Sequence, residues 1–346
     1  MEALKALIDC TEKILKGKQL ILVCNSKGST TDHEKYMTFQ METEYFSDDE
    51  FDQIVSMFSS IGIPMEFFLH EDDFFKYVIL NNPQDIVVYN AAQSGTGPGR
   101  KSLVPAFCNL HGIPCTGSNA YVVSLCRHKY HVNKLLEQAG IPVPETWLYS
   151  CGWLLGKQPP HDYKVILKPI YESASIGIDQ DSIYNYKICS DDVIAHRSKL
   201  LGQPIMAQQF IPGFEVELPL VCIGTKIVPL AAVGISIDGQ QNLGEDILDY
   251  HRVYFDRYGF YDFSQKDEQL SDQLSRCASD VTRLLGTEGL CRVDFRINAN
   301  GNFFVTDVST NPHFVKHSSV QYAFAKAGMK PKEIAKIIIS AALKSR

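Results

Sequence analysis

The chain has ten cysteines but no Cys-x-x-Cys pair; they stand at positions 10, 24, 108, 115, 126, 151, 189, 222, 277 and 291. That scatter argues against a zinc site and a disulfide framework, and fits reduced, mostly buried thiols. No cluster of lysine and arginine occurs, and a formal net charge of -7 speaks against a nucleic-acid partner. No long apolar run follows Met1, and an acidic residue comes at once in Glu2. Neither a signal peptide nor a membrane span is expected, and a cytoplasmic location follows from that reading. Internal repeats and low-complexity linkers are also missing. What is present is ordinary for a globular protein, with 45% hydrophobic and 21% charged residues. At 346 residues the chain is too long for one core, so two or three domains are expected.

Residues 3–16 carry helical spacing and 19–24 read as a buried strand. A helix over 51–61, stopped at Gly62, and a strand over 85–90 continue the alternation. This predicts an N-terminal α/β domain with a parallel sheet, to about residue 120. Further on, the pattern predicts a helix over 128–139, a strand over 163–169, mostly strands from Pro204, a helix over 267–285 and a last helix over 331–343.

The most informative stretch is Gly289-Leu-Cys-Arg292-Val-Asp294-Phe-Arg-Ile-Asn-Ala-Asn-Gly301-Asn-Phe-Phe-Val-Thr-Asp307-Val-Ser309-Thr-Asn-Pro312. Alternating runs over 290–297 and 303–308 flank Asn298-Ala-Asn-Gly301, residues that tolerate the positive φ of a hairpin turn. An even-length turn puts Arg292 and Asp294 on one face with Val305, Asp307 and Ser309, while Val293, Phe295 and Ile297 enter a core. A guanidinium, two carboxylates and a hydroxyl on one face fit Mg²⁺ and a phosphate, since hard oxygen ligands select Mg²⁺ and arginine matches phosphate oxygens. A solvated face with an incidental Arg-Asp pair is the plainer alternative.

Other segments are weaker when taken singly. Ser94-Gly-Thr-Gly-Pro-Gly-Arg-Lys-Ser102 has the wrong spacing for a phosphate loop and reads as a turn near a cleft. Lys168-Pro-Ile-Tyr-Glu172-Ser-Ala-Ser-Ile-Gly177 puts a lysine at a strand end before a loop of small residues, either a triphosphate lid or an ordinary turn. In Gln208-Gln-Phe-Ile211-Pro-Gly213-Phe-Glu215, Gln208 suits an adenine edge and Glu215 ribose hydroxyls; the alternative is a plain interdomain strand and turn.

Taken in order, Lys129, Lys168 with its loop, Gly213-Phe-Glu215, Arg292-Val-Asp294 and Asp307-Val-Ser309-Thr-Asn-Pro312 resemble the ATP-grasp enzymes, specifically the D-alanine-D-alanine ligase family. The likeness runs over about residues 85–330 and includes Val88-Tyr-Asn-Ala91 and His111-Gly-Ile-Pro-Cys-Thr-Gly-Ser118. It implies an α/β (α+β), three-domain ATP-grasp fold: an N-terminal parallel α/β domain over 1–122, and central and C-terminal subdomains over 123–207 and 208–346 that sandwich ATP. On that resemblance Lys129, Lys168 and the lid residues Glu172, Ser173 and Ser175 meet phosphates. Gln208 and the backbone near Ile211 hold adenine, and Glu215 the ribose. Asp294, Asp307 and Ser309 ligate Mg²⁺, Arg292 stabilises an oxyanion, and His313, His317 and Ser318 contact substrate, Ser318 taking the carboxylate of an incoming amino acid. The implied reaction phosphorylates a carboxylic acid with ATP and passes the acyl group to an amine. The partners implied are a small acid and an amino acid, and the family tends to dimerise.

This sequence also departs from the family. Asp307-Val-Ser309 replaces Glu-x-Asn, His313 replaces the glycine after Pro312, and Ala174 replaces a serine that orients the first D-alanine. Val253 stands where a lysine is usual, with Arg252 beside it, and the family's N-terminal glutamate has only Glu34 as a candidate. ATP handling therefore reads as retained and acyl-donor recognition as rebuilt. The branch that joins serine or threonine to mycosporine-glycine in natural-product biosynthesis is one expectation. A true D-alanine-D-alanine ligase and a non-catalytic ATP-binding regulator are the alternatives.

Overall fold

Three sheets, each wrapped by helices, organise the chain, seen here in a computed structural model that describes residues 1–27, 44–95, 97–187, 190–315 and 317–344. In the first, β1 (Gln19–Cys24) lies between β2 (Met65–Phe68) and β3 (Ile86–Ala91), all parallel. All six residues of β3 are buried, as are five of β1, the continuous apolar run expected of strands covered on both faces. Helices α1 (Glu2–Ile14), α2 (Asp48–Ser59), α3 (Glu71–Asn81) and α4 (Leu103–Leu110) accompany it. Ser47 opens α2 with a capping box: its Oγ accepts from the Glu50 N–H at 3.3 Å and the Glu50 carboxylate accepts from the Ser47 N–H at 2.7 Å. This start lies three residues before the position predicted from apolar spacing, because caps are polar and carry no apolar signal.

Helices α5 (Ala120–Arg127) and α6 (Lys129–Gln138) lead to an antiparallel sheet. Its strands are β4 (Thr146–Ser150), β5 (Trp153–Leu155), β6 (Lys164–Pro169), β7 (Ile183–Asn185) and β8 (Ile205–Gln209), in the order β5-β4-β8-β6-β7, with α7 (Ser190–Leu201) packed on it. The third sheet holds β9 (Phe214–Ile223), β10 (Lys226–Pro229), β11 (Val233–Ser236), β12 (Gly259–Asp262), β13 (Gly289–Ile297) and β14 (Phe303–Ser309). Its helices are α8 (Tyr250–Tyr254), α9 (Glu268–Leu285), α10 (Ser319–Lys326) and α11 (Pro331–Lys344). Gly286 ends α9 at φ 70°, the left-handed C-cap that glycine adopts most readily.

One hydrophobic core joins opposite ends of the sequence. Leu4, Leu7 and Leu15 pack in one cluster with Phe324, Ile334, Ile337 and Ile339, and Thr11 Oγ1 lies 2.9 Å from Ser340 Oγ in that interior. The nine described cysteines are free thiols, five of them buried. Among the described residues no helix is long and apolar enough to cross a membrane.

Gly213 sits where the second sheet hands over to the third. Its φ is 134°, and a Cβ there would meet the carbonyl oxygen of Ile297 at 2.0 Å. Gly213→Ala should therefore cost about 3 kcal/mol or more. Urea unfolding checks this through the midpoint at unchanged slope; a midpoint equal to the parent's would remove the constraint.

Candidate active site

The hairpin predicted from sequence forms, but its face is assigned by a bulge. Ile297 pairs with Phe303 across a five-residue loop, and Phe295 with Val305. That register would set Asp294 opposite Thr306. Instead the pairing shifts between Asp294 and Phe295, leaving Thr306 as the extra residue. Asp294 then stands opposite Asp307 and Arg292 opposite Ser309. Val305, expected beside Asp307, is buried in the apolar core with Phe295, because the bulge reverses the side on which it emerges.

Arg292, Asp294, Asp307 and Ser309 line a cavity of about 520 Å³. Arg292 binds Asp294 with two bonds, Nε to Oδ1 at 2.7 Å and Nη2 to Oδ2 at 2.8 Å, and its Nη1 lies 2.9 Å from Glu217. Lys129, first residue of α6, reaches Asp307 at 2.6 Å. Burial favours the neutral form of both carboxyls, and the outcomes diverge. Burial with the Asp307 charge raises Asp294 despite Arg292, whereas Lys129 and Lys168 outweigh burial and lower Asp307. Lys168, on β6, is pushed down to about 8, by burial first and by Lys129, against the pull of Asp307.

The other predicted residues converge on the same cavity. Glu172, Ser173, Ser175, Gln208, Ile211, Glu215, His313, His317 and Ser318 all border it, as does Val253. Ala174 and Ser175 have φ of 50° and 55°, and a Cβ on Gly177 would meet the Pro169 ring at 2.5 Å, so the loop's return against β6 admits only glycine. Ser175 Oγ donates to the Leu248 carbonyl at 2.7 Å. The Ile211 carbonyl already accepts from Arg296 Nε at 2.9 Å. His313 faces Glu50 at 3.2 Å, and His317 pairs with Asp256 between the rings of Tyr258 and Phe260. Ser318 caps α10, its Oγ accepting from the Gln321 N–H at 3.1 Å, which leaves the hydroxyl proton to donate. Arg252 does not take the place of the absent lysine: it binds Asp246 at 2.7 and 2.9 Å and the Ile247 carbonyl at 2.7 Å. Glu34 lies outside the described residues.

Several residues here escaped the sequence reading. Glu217, opposite Asp294 on β9, accepts from Ser319 Oγ and is pushed up to about 7, by burial first and by Asp294, with Arg292 opposing. Its alternation along β9 with Glu215 was the available signal. Glu44 is buried against Arg100, Lys101 and Arg127, and no local pattern announces that cluster. Arg296 shares the strand face of Arg292 and Asp294 and is buried, bonding Glu215 at 3.1 Å and the carbonyls of Ile211, Gly244 and Asp246. Arg296→Met should cost about 3 kcal/mol, since it takes their partner from the Glu215 carboxylate and from the Ile211 and Asp246 carbonyls, while the Gly244 carbonyl keeps the Gly213 N–H at 2.8 Å. A loss below about 1 kcal/mol in urea unfolding would mean water replaces those bonds easily.

The family model described as D-ala D-ala ligase C-terminus matches residues 135–340. The D-alanine-D-alanine ligase of Nitrosospira multiformis is 27% identical over 244 residues, covering 68% of this chain and 73% of that protein. That of Chromohalobacter salexigens is 28% identical over 244 residues, 67% of this chain and 70% of its own. Among solved structures, D-alanine-D-alanine ligase from Bacillus anthracis complexed with ATP superposes with a TM-score of 0.68 at 15% identity, over 94% of this chain and 98% of that one. VanG D-Ala:D-Ser ligase from Enterococcus faecalis gives 0.65 at 15% identity, over 94% and 99%. With its three sheets in the ATP-grasp arrangement and well over half its length matched, the chain belongs to the D-alanine-D-alanine ligase C-terminus family and is an ATP-grasp ligase.

Proposed function

We propose that the protein phosphorylates a small carboxylic acid with ATP and joins the resulting acyl phosphate to an amino acid, releasing ADP and phosphate. The observation that carries this reading is the bulge-made pairing of Asp294 with Asp307 beside Lys129, Lys168 and Arg292 in one cavity. Lys129 and Lys168 hold the phosphates, with Ser173, Ser175 and the lid backbone around Glu172 closing over them. Gln208 and Ile211 face adenine, and Glu215 the ribose. Asp294 and Asp307 supply the two hard oxygens that Mg²⁺ commonly takes from protein while keeping waters and substrate phosphates, and Ser309 is a third donor. Among the described residues no group of three or more His, Cys, Asp or Glu is placed to hold a metal ion by itself. When bound, the ion neutralises charge on the phosphates.

The acid's carboxylate attacks the γ-phosphorus, and the amine then attacks the acyl carbon. Arg292 donates two N–H groups to Asp294 and pairs through Nη1 with Glu217 at 2.9 Å, so its guanidinium keeps N–H groups for the tetrahedral oxyanion. The hydroxyl of Ser318, at the N-terminus of α10, suits the amino acid's carboxylate, while His313 and His317 border the substrates. A domain division at about residues 122 and 207, the first inside α5 and the second inside β8, and a homodimer through the first domain are part of the reading. Serine or threonine joined to an acid such as mycosporine-glycine is the specific form favoured by the departures at Ala174, His313 and Val253. The names of the relatives favour a second reading, D-alanine condensed with itself.

ADP release decides between them: acids mixed with amino acids should support it, and D-alanine alone should not. Rapid release with D-alanine alone selects the second reading, and none with any mixture leaves a nucleotide-binding regulator. Asp307→Asn should lower turnover by about tenfold or more at saturating Mg²⁺; a wild-type rate would remove the metal assignment.

Lys168 gives a separate check. At about 8 in the free protein, it loses its proton as pH rises through that value, and adjacent phosphate restores it. Binding of an ATP analogue should therefore take up protons increasingly above pH of about 8, read by calorimetry in two buffers of different ionisation heat. Lys168→Met should remove that uptake; uptake unchanged in the variant places the proton elsewhere.

A further inference from the structure

Glu217, Ser318 and Ser319 border the cavity together with Arg292. Glu217 stands on β9 opposite Asp294 and two positions after Glu215, so both glutamates leave the strand on one face. Glu217 is only 8% exposed, and its Oε2 takes two contacts: Ser319 Oγ donates to it, and Arg292 Nη1 lies 2.9 Å away. No described residue bonds the other oxygen, Oε1. Ser319 is 1% exposed and directly follows Ser318, the N-cap of α10. Glu217 thus touches the guanidinium assigned to the oxyanion, and also the residue next to the hydroxyl assigned to the amino acid's carboxylate.

Those two assignments fix a bound amino acid at two points. Its carboxylate lies at the start of α10, and its nitrogen must point at the acyl carbon whose oxygen Arg292 holds. Of the substituents left on the α-carbon, only the side chain can carry a polar group to the wall that joins the two points. That wall is Glu217 with Ser319. The Ser319 hydroxyl gives its proton to Glu217, so an incoming group finds acceptors there, Oε1 above all. An alkyl side chain set against Oε1 would cover a carboxylate oxygen without giving it a donor, which is unfavourable.

We propose that Glu217 and Ser319 select an amine donor whose side chain offers an O–H or N–H close to the α-carbon, with Glu217 Oε1 as the acceptor of that bond. The proposal rests on the ligase reading and on Ser318 as the carboxylate site, and it deepens both by naming the residues that would tell a serine-like acceptor from alanine.

Calorimetry with the full chain, Mg²⁺ and a non-hydrolysable ATP analogue tests it, at pH of about 8.5 so that Glu217 is charged. Serine and 2-aminobutyrate are matched probes, alike in shape and differing by a hydroxyl against a methyl. A third probe, 2,3-diaminopropionate, offers an N–H donor, and each is used as both enantiomers. In the parent, serine, 2,3-diaminopropionate or both should bind about tenfold or more tighter than 2-aminobutyrate, and which of the two leads separates a hydroxyl from an ammonium as the favoured group. In Glu217→Gln the amide oxygen can keep Ser319 and Arg292 while the NH₂ replaces Oε1, so the preference should fall to within about twofold. The parent's ranking is read without any variant. A Glu217 that merely steadies Arg292, or that bonds the α-amine, predicts that Glu217→Gln shifts all three probes by one factor. That result overturns the proposal, as does a parent that binds 2-aminobutyrate as tightly as both polar probes or binds none of the three. Binding indifferent to Ser318→Ala also overturns it, because the probes then sit elsewhere. Failure of the ATP analogue itself to bind the parent would instead strike the ligase reading.

Discussion

The structure depends on holding two carboxylates face to face. Asp294 and Asp307 sit opposite each other on adjacent strands, an arrangement that repels unless cations intervene. The chain supplies them from three directions: Arg292 from the same strand, Lys129 from the start of α6, and Lys168 from the end of β6. Each cation belongs to a different structural unit, so relaxing the repulsion also draws the second and third sheets around one cleft. On the proposed reading that pull would change with what fills the cleft, since a phosphate would compete for the same lysines and a divalent ion for the same carboxylates.

Much of this was legible because strand alternation is a strong local signal. Arg292, Asp294, Asp307 and Ser309 were grouped by parity, and the grouping holds, yet the turn has five residues and parity alone would have failed. Thr306 supplies the missing step, and nothing in a Thr within an alternating run marks it as a bulge. The adjacent error, Val305, has the same origin. Glycine, by contrast, announced itself: Gly177 and Gly213 stand where no side chain fits.

What could not be read was assembled over long sequence distances. Glu44 meets Arg100 and Arg127 from 56 and 83 residues away, Ser319 meets Glu217 across 102, and Arg296 closes on carbonyls 50 to 85 residues earlier. Such contacts have no period and no motif. The family resemblance pointed to residues that do meet in one cavity, such as Lys129, Lys168, Gln208 and Glu215, and carried no signal for these contacts.

The shared core of α1 and α11 has a consequence for how the protein is made. Leu4 and Leu7 share their cluster with Ile334, Ile337 and Ile339, more than three hundred residues later. That part of the cover of α1 is missing until α11 has been synthesised. Closing so long a loop costs chain entropy, which places this docking among the slower steps and among those most exposed to wrong association.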